Sequence, residues 1–295
     1  MRAPLRSFGR TGLQVPPLSF GAGGIGDPAL PEDAVARLLH GAVDLGLTLI
    51  DTAPSYGLSE ERIGRYLASR RKEVVLSTKV GYGVAGIPDW TGASVTAGID
   101  AALARLRTDV IDIVHLHSCP LEVLREGGVV EPLLRAADAG KLRVAAYSGD
   151  NAPLEWAASD APFGSLQMSI NLFDQRALGA AQAAAVRRGL GVIAKRALGN
   201  APWRFAERPV GDDAEPYWER MRAMGLPGFG IPWDELAVRF TAFSPGVSTA
   251  LVGSRSLDHL RALAAAVVRG PLPDDVARAL RAAFRRHGAS WEGRI

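Results

Sequence analysis

Eight short apolar runs, each followed by a stretch of helical periodicity, limit what this chain can become more than any other feature of it. The runs lie near Leu18 to Phe20, Leu47 to Ile50, Val74 to Thr78, Ile111 to Leu116, Arg143 to Tyr147, Leu166 to Ser169, Val192 to Ala194 and Thr249 to Val252. Between them sit amphipathic segments such as Glu32 to Leu45, with Val35, Leu38, Leu39, Ala42 and Val43 on one face, and Ser94 to Leu106. Strands that alternate with helices pair in parallel, and eight such units close most naturally into a ring. The expectation is an α/β fold, a (β/α)8 TIM barrel formed as one domain over residues 1–295. A hairpin around Gly9 to Leu13 would precede the barrel, and an extra helix over Leu272 to His287 would follow it. Ser59 is read as the N-cap of a helix that opens with Glu60 and Glu61. Leu198 to Pro232, with five prolines, reads as the longest irregular stretch and as a loop over the active face.

In such a barrel the C-terminal strand ends carry the chemistry, and three of the runs finish on reactive groups. The second ends at Asp51 and is followed five residues later by Tyr56, the third ends at Lys79 and the fourth at His117. Only four of the 34 basic residues are lysine, so two lysines at strand ends, Lys79 and Lys195, stand out. An ammonium lowers the pKa of a nearby phenol from about 10 by favouring its phenolate, which makes tyrosine a usable acid. Asp51 would hold Lys79 charged, Tyr56 would protonate a carbonyl oxygen as hydride reaches its carbon, and His117 would hydrogen-bond that oxygen. His115, two residues earlier, is read as a satisfied buried histidine that points away from the site.

Composition narrows the partners. A formal charge of +3 over 295 residues, with arginines scattered singly or in pairs, gives no support to nucleic-acid or membrane-surface binding. Cys119 is the only cysteine, which excludes an internal disulfide and fits a reducing compartment. The start MRAPLRSFGR lacks a signal-peptide core, and no run approaches the roughly 20 apolar residues of a membrane span, so a cytoplasmic location is expected. No pair of histidines has helical metal-ligand spacing, and no metal is expected. Gly21 to Gly26 matches the G-x-G-x-x-G of dinucleotide folds, but Asp27 to Pro31 delays the helix that should open inside the motif.

The segments DTAPSYGLSEERIGRYL, LSTKVGYG and ALARLRTDVIDIVHLH together resemble the aldo-keto reductase family over nearly the whole length. The resemblance implies a barrel that binds NADPH (NADP+) across the strand ends, needs no metal, and reversibly reduces a small aldehyde or ketone to the alcohol. It makes Asp51, Tyr56, Lys79 and His117 the catalytic set. It also implies cofactor contacts at Gly21, Ala22, Ser148, Gln167, Lys195, Arg196, Gly253, Ser254, Arg255 and His259. Ser148 and Gln167 fall where the family holds the nicotinamide carboxamide, and Ser254 and Arg255 where it holds the 2′-phosphate. Two departures stand out: Gly149 replaces an asparagine, whose part Asp150 or Asn151 would have to take, and Lys195 replaces a tyrosine that commonly stacks on the nicotinamide. Tyr82, Trp90, Cys119 and Trp203 are candidates for the substrate pocket. The rival reading, favoured by Lys195, is a regulatory barrel that senses NADPH and rarely turns over.

Overall fold

A computed structural model describes residues 2–294. An antiparallel hairpin of β1 (Arg6–Ser7) and β2 (Gln14–Val15) precedes eight parallel strands. These are β3 (Leu18–Gly21), β4 (Leu49–Asp51), β5 (Val75–Val80), β6 (Ile111–His117), β7 (Leu142–Ser148), β8 (Ser165–Ser169), β9 (Gly191–Lys195) and β10 (Thr249–Val252). They close in sequence order, with β10 against β3, into a barrel. The fold is the expected (β/α)8 barrel with an N-terminal hairpin, and the additional helix is Asp274–His287.

Period-two alternation sorts each strand's side chains between two cores. Outward residues such as Phe20, Ile50, Leu76, Val114, Leu166 and Val252 pack beneath the helices. Inward residues Leu49, Ile113, Val144, Ile193 and Leu251 fill the barrel together with Phe8, Leu13 and Val15 of the hairpin. Phe8 is fully buried, and a Cβ on Gly191 would stand 2.6 Å from its ring, so the glycine makes room for this plug. Above the apolar layer the inward positions turn polar.

Two local expectations are corrected. Ser59 is not the N-cap: the helix Ser59–Leu67 starts after Leu58, and the buried Ser59 hydroxyl accepts from Thr52 Oγ1 at 2.8 Å and donates to the Ala22 carbonyl at 2.9 Å. The stretch from 198 to 232 contains a helix, Glu215–Met224, whose proline sits in the first turn, where its missing N–H is harmless. That helix packs with Trp233–Ala242 and Asp274–His287 through Tyr217, Leu236, Leu280 and Phe284. As expected, the α-helix begins only at Glu32; before it, Ala22–Gly26 forms a 3-10 turn. A closed barrel has no topological switch point, so the glycine motif has no dinucleotide-fold context here.

Arg62 secures this glycine-rich turn. Its buried guanidinium donates to the carbonyls of Ile25 at 2.6 Å, Asp27 at 2.7 Å and Leu30 at 2.9 Å, and to Glu32 at 2.8 Å. On the helix's other flank, the carboxylate of buried Glu60 accepts from Thr78 Oγ1 at 2.5 Å and Arg105 Nε at 2.6 Å.

Candidate active site

Asp51, Lys79 and His117 occupy the last inward positions of β4, β5 and β6, so the barrel turns their side chains toward the same mouth. Lys79 Nζ donates to Asp51 Oδ2 and to the Thr52 carbonyl, each at 2.7 Å. Asp51 Oδ1 accepts from Ser77 Oγ at 2.8 Å and Gln167 Nε2 at 2.9 Å. Burial opposes both charges, but the attraction between them prevails: the Asp51 carboxyl lies below its ordinary range and the Lys79 ammonium above its own. The pair remains ionised although Lys79 is only 2% exposed.

Tyr56 reaches this pair from the loop after β4. Its ring centre lies 5.0 Å from Lys79 Nζ and 6.3 Å from the His117 ring, edge on. The glycines of the 3-10 turn make room for it: Gly23 faces the Tyr56 ring, and Gly26 touches the Tyr56 backbone. His117 is neutral at physiological pH, because burial first, and then the Lys79 charge, depress its pKa to about 3. Its Nδ1 lies 2.7 Å from Tyr82 Oη.

The reading of His115 is corrected. Residues two apart on a strand share a face, so His115 lies inward below His117, with Nε2 3.1 Å from Ser77 Oγ. It is fully buried with no hydrogen-bond partner at Nδ1, and burial depresses its pKa to about 4.

A cleft of about 850 Å³ runs from these groups to the loop after β10, lined by Gly21, Ser148, Gln167, Lys195, Arg196, Gly253, Ser254, Arg255 and His259. Ser148 Oγ donates to Gln167 Oε1 at 2.7 Å. Asp150 does not replace the missing asparagine side chain, because its carboxylate accepts from the Ser169 amide at 2.8 Å and pairs with Lys195 Nζ at 2.9 Å. Gly149 itself is constrained, since a Cβ there would stand 2.2 Å from Tyr147 Oη. Burial outweighs Asp150 at Lys195, whose pKa is lowered. Ser254 Oγ lies 3.1 Å from His259 Nδ1, and Arg255 pairs with Asp27 at 3.0 Å across the mouth of the cleft.

Five expected site residues do not line the cleft. Ala22 and Cys119 are fully buried in the core beneath the helices, where an apolar setting pushes the Cys119 thiol up to about 12. Trp203 stacks on Trp233 at 5.7 Å, and Trp90 packs on Tyr82 at 5.5 Å; neither lines the cleft. Tyr82 meets His117 rather than the cleft. Further residues that line it, outside the sequence-based expectations, include Ser118, Leu198, Asn200, Arg204, Asp212, Asp213 and Asp234. Ser118 has a left-handed backbone with φ of 61°, a conformation that collects at functional sites, but nothing in its sequence announces this. Among the described residues, no group of three or more His, Cys, Asp or Glu is placed to hold a metal ion, and no helix is long and apolar enough to cross a membrane.

Residues 17–285 match the Aldo/keto reductase family. L-galactose dehydrogenase of Arabidopsis thaliana is 34% identical over 155 residues, covering 49% of this chain and 48% of that protein. The aldo-keto reductase yakc (NADP(+)) of Schizosaccharomyces pombe is 31% identical over 189 residues, covering 59% of this chain and 54% of that protein. The chain thus spans about half the length of these curated relatives. The holo form of aldo-keto reductase AKR11C1 from Bacillus halodurans shares the fold with a TM-score of 0.83, 23% identity and 96% of each chain covered. A family match over nearly the whole barrel, reaching every strand that bears Asp51, Lys79 and His117, places this chain in the aldo/keto reductase family.

Proposed function

We propose that the protein reversibly reduces an aldehyde or ketone to the alcohol, with NADPH as hydride donor and Tyr56 as general acid. One observation carries this reading: the Lys79 ammonium, fixed by Asp51 and the Thr52 carbonyl, lies 5.0 Å from the Tyr56 ring centre beside a neutral His117 that opens on the same cleft. A cation at that place stabilises the developing phenolate as the proton leaves. Asp51 keeps Lys79 charged, and His117, being neutral, offers the carbonyl oxygen a hydrogen bond without adding a second charge beside Lys79.

The cleft suits a flat, anionic cofactor. Gly21, Gly23 and Gly24 leave one wall free of side chains, while Lys195, Arg196 and Arg255 bring cations. Ser148 and Gln167 would hold a carboxamide, and Arg255, with Ser254 and His259 beside it, a phosphate. When bound, the cofactor supplies the hydride. The relative yakc carries NADP(+) in its name, which supports NADP over NAD. A relative named for L-galactose makes sugars the first substrates to try. A sensing barrel with little turnover is less well supported, because Asp51, Tyr56, Lys79 and His117 gather at one place.

The test is to titrate the protein with NADPH by fluorescence and then follow cofactor absorbance against a panel of aldehydes and ketones. Tyr56→Phe is expected to bind NADPH normally and to lose turnover by about 10²-fold or more, the scale of a general-acid contribution. Full activity in that variant would remove Tyr56 from the mechanism.

A further inference from the structure

We propose that Tyr82 is a positioning residue for His117: its hydroxyl donates to Nδ1 and so holds the proton of the imidazole on Nε2, the nitrogen free to meet a ligand. A neutral imidazole has one donor and one acceptor, and which nitrogen carries the proton follows from the partner of the other. The Tyr82 hydroxyl has one proton and two neighbours, Nδ1 at 2.7 Å and Ser55 Oγ at 3.3 Å. An imidazole nitrogen is a far stronger base than a serine hydroxyl, and it is also the nearer of the two. Donation therefore goes to Nδ1. Were the proton given to Ser55 instead, Nδ1 would carry its own, and Nε2 would face the cleft as an acceptor, unable to support a carbonyl oxygen.

The surrounding loop is built to fix this contact. The Tyr82 and His117 rings lie 5.3 Å apart and 26° from parallel, and Trp90 packs on Tyr82 with ring centres 5.5 Å apart. Trp90 is held by a 2.7 Å hydrogen bond from its amide to the Gly81 carbonyl. Gly81 has φ of 126°, and a Cβ on it would meet the indole at 2.3 Å, so only glycine lets the indole fold back over this turn. Trp90 thus acts on the site through Tyr82 and not as a wall of the cleft.

This proposal rests on the reductase reading, yet the tautomer is measurable without turnover. Protein labelled with nitrogen-15 histidine is examined by long-range nitrogen–proton NMR without cofactor, the His117 ring being assigned by its loss in His117→Gln. Wild type is expected to show His117 as the Nε2–H tautomer. Tyr82→Phe, which keeps the stacked ring, is expected to show a mixture or the Nδ1–H form, with unchanged NADPH affinity and kcat lowered roughly ten-fold, the scale of one hydrogen bond. An Nδ1–H tautomer in wild type, or an unchanged tautomer in Tyr82→Phe, overturns the proposal whatever kcat does. The expected tautomer change in a protein that reduces no carbonyl would uphold the role of Tyr82 and count against the reductase reading alone.

Discussion

Gly26 lies so close to Tyr56 that a Cβ on it would stand 1.6 Å from the Tyr56 carbonyl oxygen. The Leu58 amide donates to the Gly26 carbonyl at 3.0 Å, which ties the two loops together. Gly26→Ala must therefore part the loops and displace Tyr56, at a cost of about 1–3 kcal/mol for overpacking. Gly24→Ala is the control, since its Cβ would meet only the Arg255 side chain, at 3.8 Å. Melting temperature and turnover should fall together in the first variant, whereas the melting temperature should hold in the second.

Arg255 is paired with Asp27, and Asp27 is held in turn by the Ala29 amide at 2.9 Å, on a loop that Arg62 fastens. The hydrogen bond from Ala29 first, and then Arg255, keep the Asp27 carboxyl below its ordinary range, so a carboxylate would compete with any phosphate for the guanidinium. Arg255→Ala should weaken NADPH much more than NADH. Asp27→Asn should do the reverse and tighten NADPH selectively. Fluorescence titrations with both cofactors decide; equal effects on the two would remove Arg255 from the phosphate site.

Lys195 and Asp150 form a pair that is hard to break from one side. Asp150→Ala leaves a half-buried ammonium uncompensated and the buried Ser169 amide without its acceptor, a loss of about 1–3 kcal/mol. The double variant Asp150→Ala with Lys195→Met removes both charges and should regain a large part of it. Urea unfolding of the single and double variants gives the coupling directly.

The two inward histidines of β6 make stability pH-dependent. Burial first holds His115 at about 4 and His117 at about 3 in the folded protein. In the unfolded chain each takes up a proton near pH 6.5, so the unfolded state binds more protons below that value. Stability is then complete above about pH 6.5 and falls as the pH drops toward 4, by up to ~1.4 kcal/mol per pH unit for each histidine. Urea unfolding between about pH 7 and pH 5 should show this slope, and His115→Gln should lose roughly half of it.

Much of this architecture is legible in the sequence where a repeating pattern and a polar break coincide. Asp51, Lys79 and His117 each end a strand-like run in a chain that alternates strand with helix, and strand ends in such a chain share one face of the barrel. The same alternation places His115 inward beside Ser77, so its misreading came from the geometry and not from a missing signal. The grip of Arg62 on the glycine turn and the contact of Tyr82 with His117 join residues 30 or more positions apart, a distance at which no periodicity operates. The helix Glu215–Met224 is obscured by the prolines around it, although a proline in the first turn is a helix signal as much as a loop signal. Cys119 follows a strand end yet points into the core, because Ser118 takes a left-handed backbone just before it.

Phe8 and its hairpin stopper the barrel from below, which makes the cleft a blind alley. Whatever reaches Lys79 and His117 must come and go past Arg255, Lys195 and the loop from Leu198 to Asp213. A pocket closed at one end gives a bound molecule a single way out, so a ligand held against Lys79 would leave by the mouth through which it came.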